Sequence, residues 1–242
     1  MRTRIRHGLA AALAVSALSL TAACGGGDAK GDTTKDKAAD KPAAEQTTSA
    51  APAATTPLTA AQMKAAALEL KDLPSGWKVT KTPTDELKVT SDKPECAPLA
   101  SALGSDFPGG TKGASAEFSR GNNESEIVED VATFPGTGAA DFTKKIDTAL
   151  ASCTGFTADS DGTKMKLGVE KLTAPQGAEE TLAFRLKLNL AEGITIEPTI
   201  MIARQGSGIV RFLHLADTPG GKGEFDALAK IAAGKLAKAG QS

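Results

Sequence analysis

The sequence predicts an α+β domain in which a single antiparallel sheet of about six strands is covered on one face by helices. Three observations lead to this prediction. Segments with the apolar spacing of amphipathic helices stand near both ends of residues 58–240, and segments that alternate between polar and apolar residues follow one another between them. Before residue 58, apolar side chains of core size are confined to one run close to the N-terminus.

Residues 1–23 have the organisation of an export signal peptide. Arginines at three of the first six positions precede an apolar run, Leu9–Leu20, which is shorter than the ~20 residues of a membrane span. Small residues directly before Cys24 resemble the lipobox of bacterial lipoproteins. The resemblance implies a diacylglyceryl group on the thiol of Cys24, removal of the signal peptide and an anchor in the outer face of the cell membrane. A plain secretory signal is the alternative.

Residues 24–57 comprise the lipidated cysteine and a disordered tether in this interpretation. Between Gly25 and Pro57 the chain has no Val, Ile, Leu, Met, Phe or Trp. It therefore cannot bury enough apolar surface to offset the entropy that it would lose on ordering. A flexible linker of this length has a root-mean-square reach of roughly 30 Å, which would hold a domain away from the membrane surface.

Four segments of the domain predict helices. In the first, "LTAAQMKAAALEL", Thr59 and Gln62 stand at the two ends of a capping box. A short helix is expected through "CAPLASALG", a longer one through "AADFTKKIDTALASC" and a last one through "GEFDALAKIAAGKLAK". Apolar residues recur every three or four positions in the first, third and last segments, so each of these helices should pack through one face.

Six segments predict strands: "ASAEFSR", "EIVEDVATF", "KMKLGV", "TLAFRLKLNL", "ITIEPTIMIA" and "GIVRFLHLA". The fourth alternates most regularly, with apolar residues on one side and polar or charged residues on the other. Pro198 in the fifth indicates an edge strand or a bulge. The stretch from Trp77 is weakly extended. "DSDGT", Asp159–Thr163, lacks the later ligands of a calcium loop and is expected to be a polar turn that joins a helix to a strand.

Two cysteines remain once Cys24 is assigned to the lipid. An even number of cysteines in an exported domain predicts a disulfide between Cys96 and Cys153. Such a bond would be worth about 4 kcal/mol in the chain-entropy model. Two buried free thiols are the alternative. A metal site would need more ligands than two cysteines, and no histidine cluster lies near them, so no metal and no cofactor are predicted.

The sequence offers no set of catalytic residues, and we predict that the protein is not an enzyme. His214 is the only histidine after the signal peptide, and a strand histidine without a placed partner is structural or exposed more often than catalytic. The common hydrolase, P-loop and zinc-protease motifs are absent. Four acidic residues on or beside one strand, Glu124, Glu126, Glu129 and Asp130, are interpreted as a solvated face; a surface pair of catalytic carboxylates is the alternative.

The charge balance excludes nucleic acid from the expected partners. The chain has 28 Lys and Arg against 29 Asp and Glu, a net charge of −1, whereas a nucleic-acid-binding protein is expected to have a clear basic excess. With one Trp, eight Phe and no Tyr, the chain also has few aromatic rings on which sugars or bases could stack.

Taken together, these features resemble a family of actinobacterial exported proteins. A lipobox, a polar tether, a helix that ends in "DLPSGW" and a helix that closes on "ALASCTGF" are similar to the extracellular sensor domain of certain membrane serine/threonine kinases and to its free-standing lipoprotein relatives. The resemblance covers about residues 58–240 and depends on Trp77, Cys96, Cys153 and Phe156. It implies a helix-backed antiparallel sheet with a cleft for an unidentified ligand. Members commonly carry two disulfides, whereas this chain can form one.

The leading hypothesis is a lipid-anchored, non-enzymatic domain that binds or senses a ligand outside the cell membrane. Its cleft would lie between helices and sheet, near Trp77 and the disulfide, so Trp77 is the candidate ligand contact; packing in the core or at its rim is the alternative role for this side chain. The ligand is left open between a small molecule, a lipid and a protein. One alternative function is carriage of lipid or glycolipid across the cell envelope, and another is docking on a membrane protein.

Overall fold

One antiparallel sheet forms the centre of the domain. The computed structural model describes residues 55–80, 88–121, 125–189, 195–216 and 222–241. The strands within these ranges are β1 (Trp77–Val79), β2 (Thr90–Ser91), β3 (Thr111–Arg120), β4 (Ser125–Thr133), β5 (Gly155–Ser160), β6 (Thr163–Leu172), β7 (Glu180–Asn189), β8 (Thr195–Ile196), β9 (Thr199–Gln205) and β10 (Gly208–Ala216). Their order across the sheet is β1-β3-β4-β10-β9-β7-β6-β5-β2, and β8 pairs with β7. The single antiparallel sheet is confirmed, but it has ten strands rather than about six.

Four helices accompany the sheet in the described ranges. They are α1 (Ala60–Ala66), α2 (Ala97–Leu103), α3 (Gly138–Ser152) and α4 (Lys222–Ala239), with single helical turns at Leu70–Asp72 and Pro94–Cys96. The predicted capping box is present at α1: the Gln62 backbone N–H donates to Thr59 Oγ1 at 3.2 Å, and the Thr59 N–H donates to Gln62 Oε1 at 2.8 Å.

The helices cover both faces of the sheet, so the prediction that they cover one face is wrong. One core cluster contains α2 and α3, and a second contains α1 and α4. The reason lies in the central strands, in which every residue of Thr199–Ala203 and of Gly208–His214 is buried. Successive side chains of a strand point to opposite faces, so strands that are apolar on both sides need a helical layer on each.

Two local predictions also need correction. Asp159–Thr163 joins β5 to β6 rather than a helix to a strand, and its central residues, Asp161 and Gly162, have φ values of +50° and +82°, as a tight hairpin turn requires. Pro198 marks neither an edge strand nor a bulge, because β9 lies between β10 and β7 and the register of β7 does not shift from Ile196 to Thr199. It is buried directly before the central strand β9, where its carbonyl accepts a hydrogen bond from the Leu186 N–H at 3.0 Å.

Candidate functional site

Helices α2 and α3 lie together on one face of the sheet and leave a groove between them. The predicted disulfide is present: it joins Cys96, directly before α2, to Cys153, directly after α3, with the two Cα atoms 5.5 Å apart. Both cysteines are buried. The bond therefore fixes the start of α2 against the end of α3, and with it the spacing of the groove walls.

The groove consists of two adjoining cavities that share Pro94, Pro98, Asp141 and Lys145. One has a volume of about 420 Å³ and the other about 520 Å³, and ligand pockets typically measure ~300–1,000 Å³. Their lining extends from Gly138 to Ser152, the two ends of α3. A helix rises 1.5 Å per residue, so this helix of 15 residues gives the groove a length of roughly 20 Å.

The two halves of the groove differ in chemistry. The 420 Å³ cavity is lined mainly by apolar side chains, including Ala97, Pro98, Pro108, Phe134, Pro135 and Phe142. The Phe134 and Phe142 rings pack together with their centroids 5.3 Å apart. More of the residues that line the 520 Å³ cavity are polar or charged, including Glu95, Lys144, Lys145, Thr148 and Ser152, although most of the surface that they expose to it is apolar. A ligand that fills both halves would meet mainly apolar surface, with charged groups concentrated in the second half.

Two exposed lysines supply positive charge at the polar half. Neither Lys144 nor Lys145 forms an ion pair with any other residue that the structure describes. Asp141, on the same wall, accepts a hydrogen bond from Thr137 Oγ1 at 3.0 Å. Lys145 and Asp141 line both cavities, and Lys145 is the one of the two that could pair with an anionic group of a ligand.

A buried ion pair attaches the C-terminal end of α2 to the sheet. Arg211 on β10 donates from Nε to Asp130 on β4 at 3.1 Å, and from Nη1 to the carbonyl oxygens of Leu103 at 3.3 Å and Ala102 at 3.5 Å. Ser115 Oγ donates to the second carboxylate oxygen of Asp130 at 2.6 Å. Because the last carbonyls of a helix have no partner within it, Arg211 satisfies them and positions one wall of the groove.

The interpretation of the acidic strand as a solvated face is wrong for two of its residues. Glu129 and Asp130 are 0% and 2% exposed, because β4 is an inner strand with helices over both faces. Asp130 meets Arg211 in the α2/α3 layer, whereas Glu129 Oε2 accepts the Leu68 backbone N–H at 2.6 Å in the α1/α4 layer. One sequence signal could have revealed the ion pair of Asp130 with Arg211. Arg211 is a single cation within the apolar run "GIVRFLHLA", where a buried charge needs a partner.

Trp77 lies in the α1/α4 layer, on the face of the sheet opposite the disulfide. Its side chain is 4% exposed, and the guanidinium carbon of Arg120 lies 5.2 Å from its ring centroid. Nε1 has no hydrogen-bond partner among the described residues. The disulfide belongs to the other layer, so a single cleft beside both features is wrong. A role for Trp77 in ligand binding stays a prediction.

His214 belongs to a buried polar cluster with Ser125 and Glu224. Ser125 Oγ lies 3.2 Å from His214 Nε2 and donates to Glu224 Oε2 at 3.2 Å, and that same carboxylate oxygen lies 3.6 Å from His214 Nε2. In a Ser-His-acid triad the serine and the carboxylate bond opposite ring nitrogens, whereas both approach Nε2 here. Ser125 and His214 are 4% and 3% exposed, which closes the hydroxyl to a substrate. Burial lowers the pKa of His214, which favours the neutral ring in this structural cluster.

Cys24 and the signal peptide lie outside the described residues, so lipidation stays a prediction. No helix in the described ranges combines the length and the apolar character needed to cross a bilayer. The last residues assigned to the tether do contact the domain, because the Thr55 N–H donates to the Gly136 carbonyl at 3.1 Å.

Comparison with known proteins gives a fold but no family assignment. No protein-family model and no curated protein matches the chain. Among solved structures, the extracellular domain of PknH from Mycobacterium tuberculosis matches 78% of this chain and 100% of its own length, with 17% identity and a TM-score of 0.56. The chain has the fold of that extracellular domain. The resemblance inferred from the sequence is therefore confirmed at the level of the fold. An Rv0999 ortholog from Mycobacterium smegmatis also matches 74% of this chain and 95% of its own, with 16% identity and a TM-score of 0.39.

Proposed function

We propose that this protein is a non-enzymatic binding domain, held at the outer face of the cell membrane by a lipid on Cys24, and that its ligand binds in the groove between α2 and α3. The observation that carries the proposal is the groove itself, which runs along all of α3 and is framed by a disulfide. The fold shared with an extracellular domain, the predicted export signal and the resemblance to a lipobox support the location.

The chemistry of the groove favours a small amphipathic ligand with an anionic group. Its apolar part would lie against Pro98 and Phe142, where burial of apolar surface supplies most of the affinity. Its carboxylate or phosphate would meet Lys145, where the two cavities join. A surface ion pair is worth about 0–1 kcal/mol, so Lys145 would contribute to orientation and selectivity more than to affinity.

Ligand-observed fluorine NMR with a library of fluorinated aryl carboxylates tests the proposed site. Ala97 is exposed and lines the apolar half, so Ala97→Trp should fill the groove and abolish fragment binding. The matched control is Ala151→Trp, which places the same side chain at an exposed position of α3 that lines neither cavity. Equal binding by the wild type and Ala97→Trp would reject the groove as the site. A long-chain lipid retained by the wild type in native mass spectrometry would instead favour the carrier function.

A second experiment tests the anchor. The wild type and Cys24→Ala would be expressed in a mycobacterial host fed an alkyne analogue of palmitate. We expect labelled wild-type protein in the membrane fraction, and unlabelled variant protein outside it, because two acyl chains hold a protein durably at a membrane. Labelling of Cys24→Ala, or its full retention in the membrane, would contradict lipidation at this residue.

A further inference from the structure

The N-terminal arm of the domain, Thr55–Leu58, is bonded to the chain beside the groove. Both the N–H and the hydroxyl of Thr55 donate to the Gly136 carbonyl, at 3.1 and 3.3 Å. The Leu58 N–H donates to Thr133 Oγ1 at 2.7 Å, and Ser207 Oγ donates to the Thr56 carbonyl at 2.7 Å. The segment that links the domain to the tether is thus held through three of its four residues, Thr55, Thr56 and Leu58.

The residues that hold the arm are neighbours of Phe134, which lines the groove. Thr133 and Gly136 lie on either side of it in the chain, and the Phe134 N–H donates to the Ser207 carbonyl at 2.9 Å. One short segment, Thr133–Gly138, therefore has the arm on one side and the groove on the other.

Phe134 is closely fitted, so its position and that of this segment depend on each other. Its side chain is 1% exposed. A Cβ atom added at Gly110 would lie 2.7 Å from the Phe134 ring, and one added at Gly138 would lie 3.1 Å from Phe134 Cβ. On the sides that face Gly110 and Gly138 the Phe134 ring has no free volume into which to move, and close packing of this kind transmits displacements.

We propose that occupancy of the groove and attachment of the N-terminal arm are coupled through Thr133–Gly138, so that a bound ligand changes how the domain is held on its tether. This inference rests on the proposed function, since it describes regulation of the same groove. Coupling between two sites is reciprocal, so a change in the arm also changes the groove.

A covalent probe in the groove tests the coupling without a known ligand. The full chain, with Cys24→Ser to remove the other thiol and Ser101→Cys in the groove, would be reacted with N-phenylmaleimide. Amide hydrogen exchange at Thr55 and Leu58 is then compared before and after labelling. Allosteric couplings typically correspond to 5- to 150-fold, so we expect the exchange rates of these amides to change by about fivefold or more, in either direction. The same label on Lys166→Cys, an exposed position of β6, should leave them unchanged.

The reverse experiment changes the arm and needs no label, so it tests the coupling even if the labelled chain fails to fold. Thr133→Val keeps the size of the side chain but removes the acceptor of the Leu58 N–H and the donor to Ser207. Because the Ser207 carbonyl accepts the Phe134 N–H, exchange is read further along the groove wall, at Gly138 and Phe142, where it should change by a similar factor. Thr90→Val, which removes a hydroxyl from the far edge of the sheet, is the matched control. The coupling is overturned if exchange changes by less than twofold both at the arm in the labelled chain and at the groove in Thr133→Val. Because the phenyl group is attached covalently, that result would say nothing about whether the groove binds a free ligand. The fragment screen tests ligand binding separately.

Discussion

The buried carboxyl of Glu129 should make the protein less stable as the pH rises from acid to neutral. The side chain is fully buried between β4 and the α1/α4 layer. Its Oε2 accepts one backbone N–H, from Leu68, and its Oε1 has no partner among the described residues. Burial is the largest cause of a pKa raised to about 8, partly offset by the Leu68 hydrogen bond and by the charge of Lys235. The folded protein therefore keeps this carboxyl neutral at pH 7.

The size of the effect follows from the difference between the folded and unfolded pKa values. In the unfolded chain the carboxyl ionises near its ordinary value of 4.5. Below that pH both states hold the proton, and the full contribution to stability is present. Between pH 4.5 and pH 8 only the unfolded state releases it, so the free energy of unfolding falls by about 1.4 kcal/mol per pH unit, or about 5 kcal/mol across the window.

Glu129→Gln removes the titration while it keeps the shape of the side chain. Urea unfolding, followed by the fluorescence of Trp77, would be measured for both chains at intervals from pH 5 to pH 7.5. The unfolding free energy of the variant relative to the wild type should rise by about 1.4 kcal/mol per pH unit; a constant offset from the new amide does not affect this slope. Glu95→Gln, the same substitution at an exposed carboxyl, is the matched control. Parallel curves for the wild type and Glu129→Gln would show that Glu129 ionises alike in the folded and unfolded chains.

Three further substitutions test other parts of the structure. Cys153→Ser opens the loop closed by the disulfide and should lower the free energy of unfolding by about 4 kcal/mol; a thermal midpoint equal to that of the wild type would contradict this. Arg211→Met leaves Asp130 buried without its main partner and should cost about 3–5 kcal/mol in urea unfolding, part of which Asp130→Asn should restore; no recovery in the double variant would argue against the ion pair. Thr59→Ala removes the N-cap of α1 and should cost about 1 kcal/mol, and an unchanged urea midpoint would show that this cap contributes nothing.

The helices and most strands could be predicted from the sequence because their patterns are local. The capping box at Thr59 and the alternation after Leu182 each lie within one element. The layers could not be assigned in the same way, because the side of the sheet on which a helix packs depends on strand order. The continuous apolar runs of β9 and β10 did carry a signal, since strands buried on both faces lose their alternation. β5 was missed because "GFTADS" is short and partly polar.

The candidate site was less predictable than the fold, because it is formed by tertiary packing. The cysteine count correctly indicated that the start of α2 meets the end of α3, yet nothing in either segment shows that a groove separates them. Trp77, the single tryptophan, was the candidate ligand contact, but it lies on the face of the sheet opposite the groove. Arg211 and Asp130 are 81 residues apart, and only the pairing of β4 with β10 brings them together.

Amide chemical-shift mapping shows directly whether a ligand binds in the groove between α2 and α3. Increasing amounts of the best-binding fluorinated aryl carboxylate would be added to the isotope-labelled domain while the backbone amides are followed by NMR. The proposed site predicts that the largest shifts fall on α2 and α3, at residues such as Ala97, Ser101 and Lys145. Shifts centred on Trp77 and the α1/α4 layer, with α2 and α3 unchanged, would contradict it.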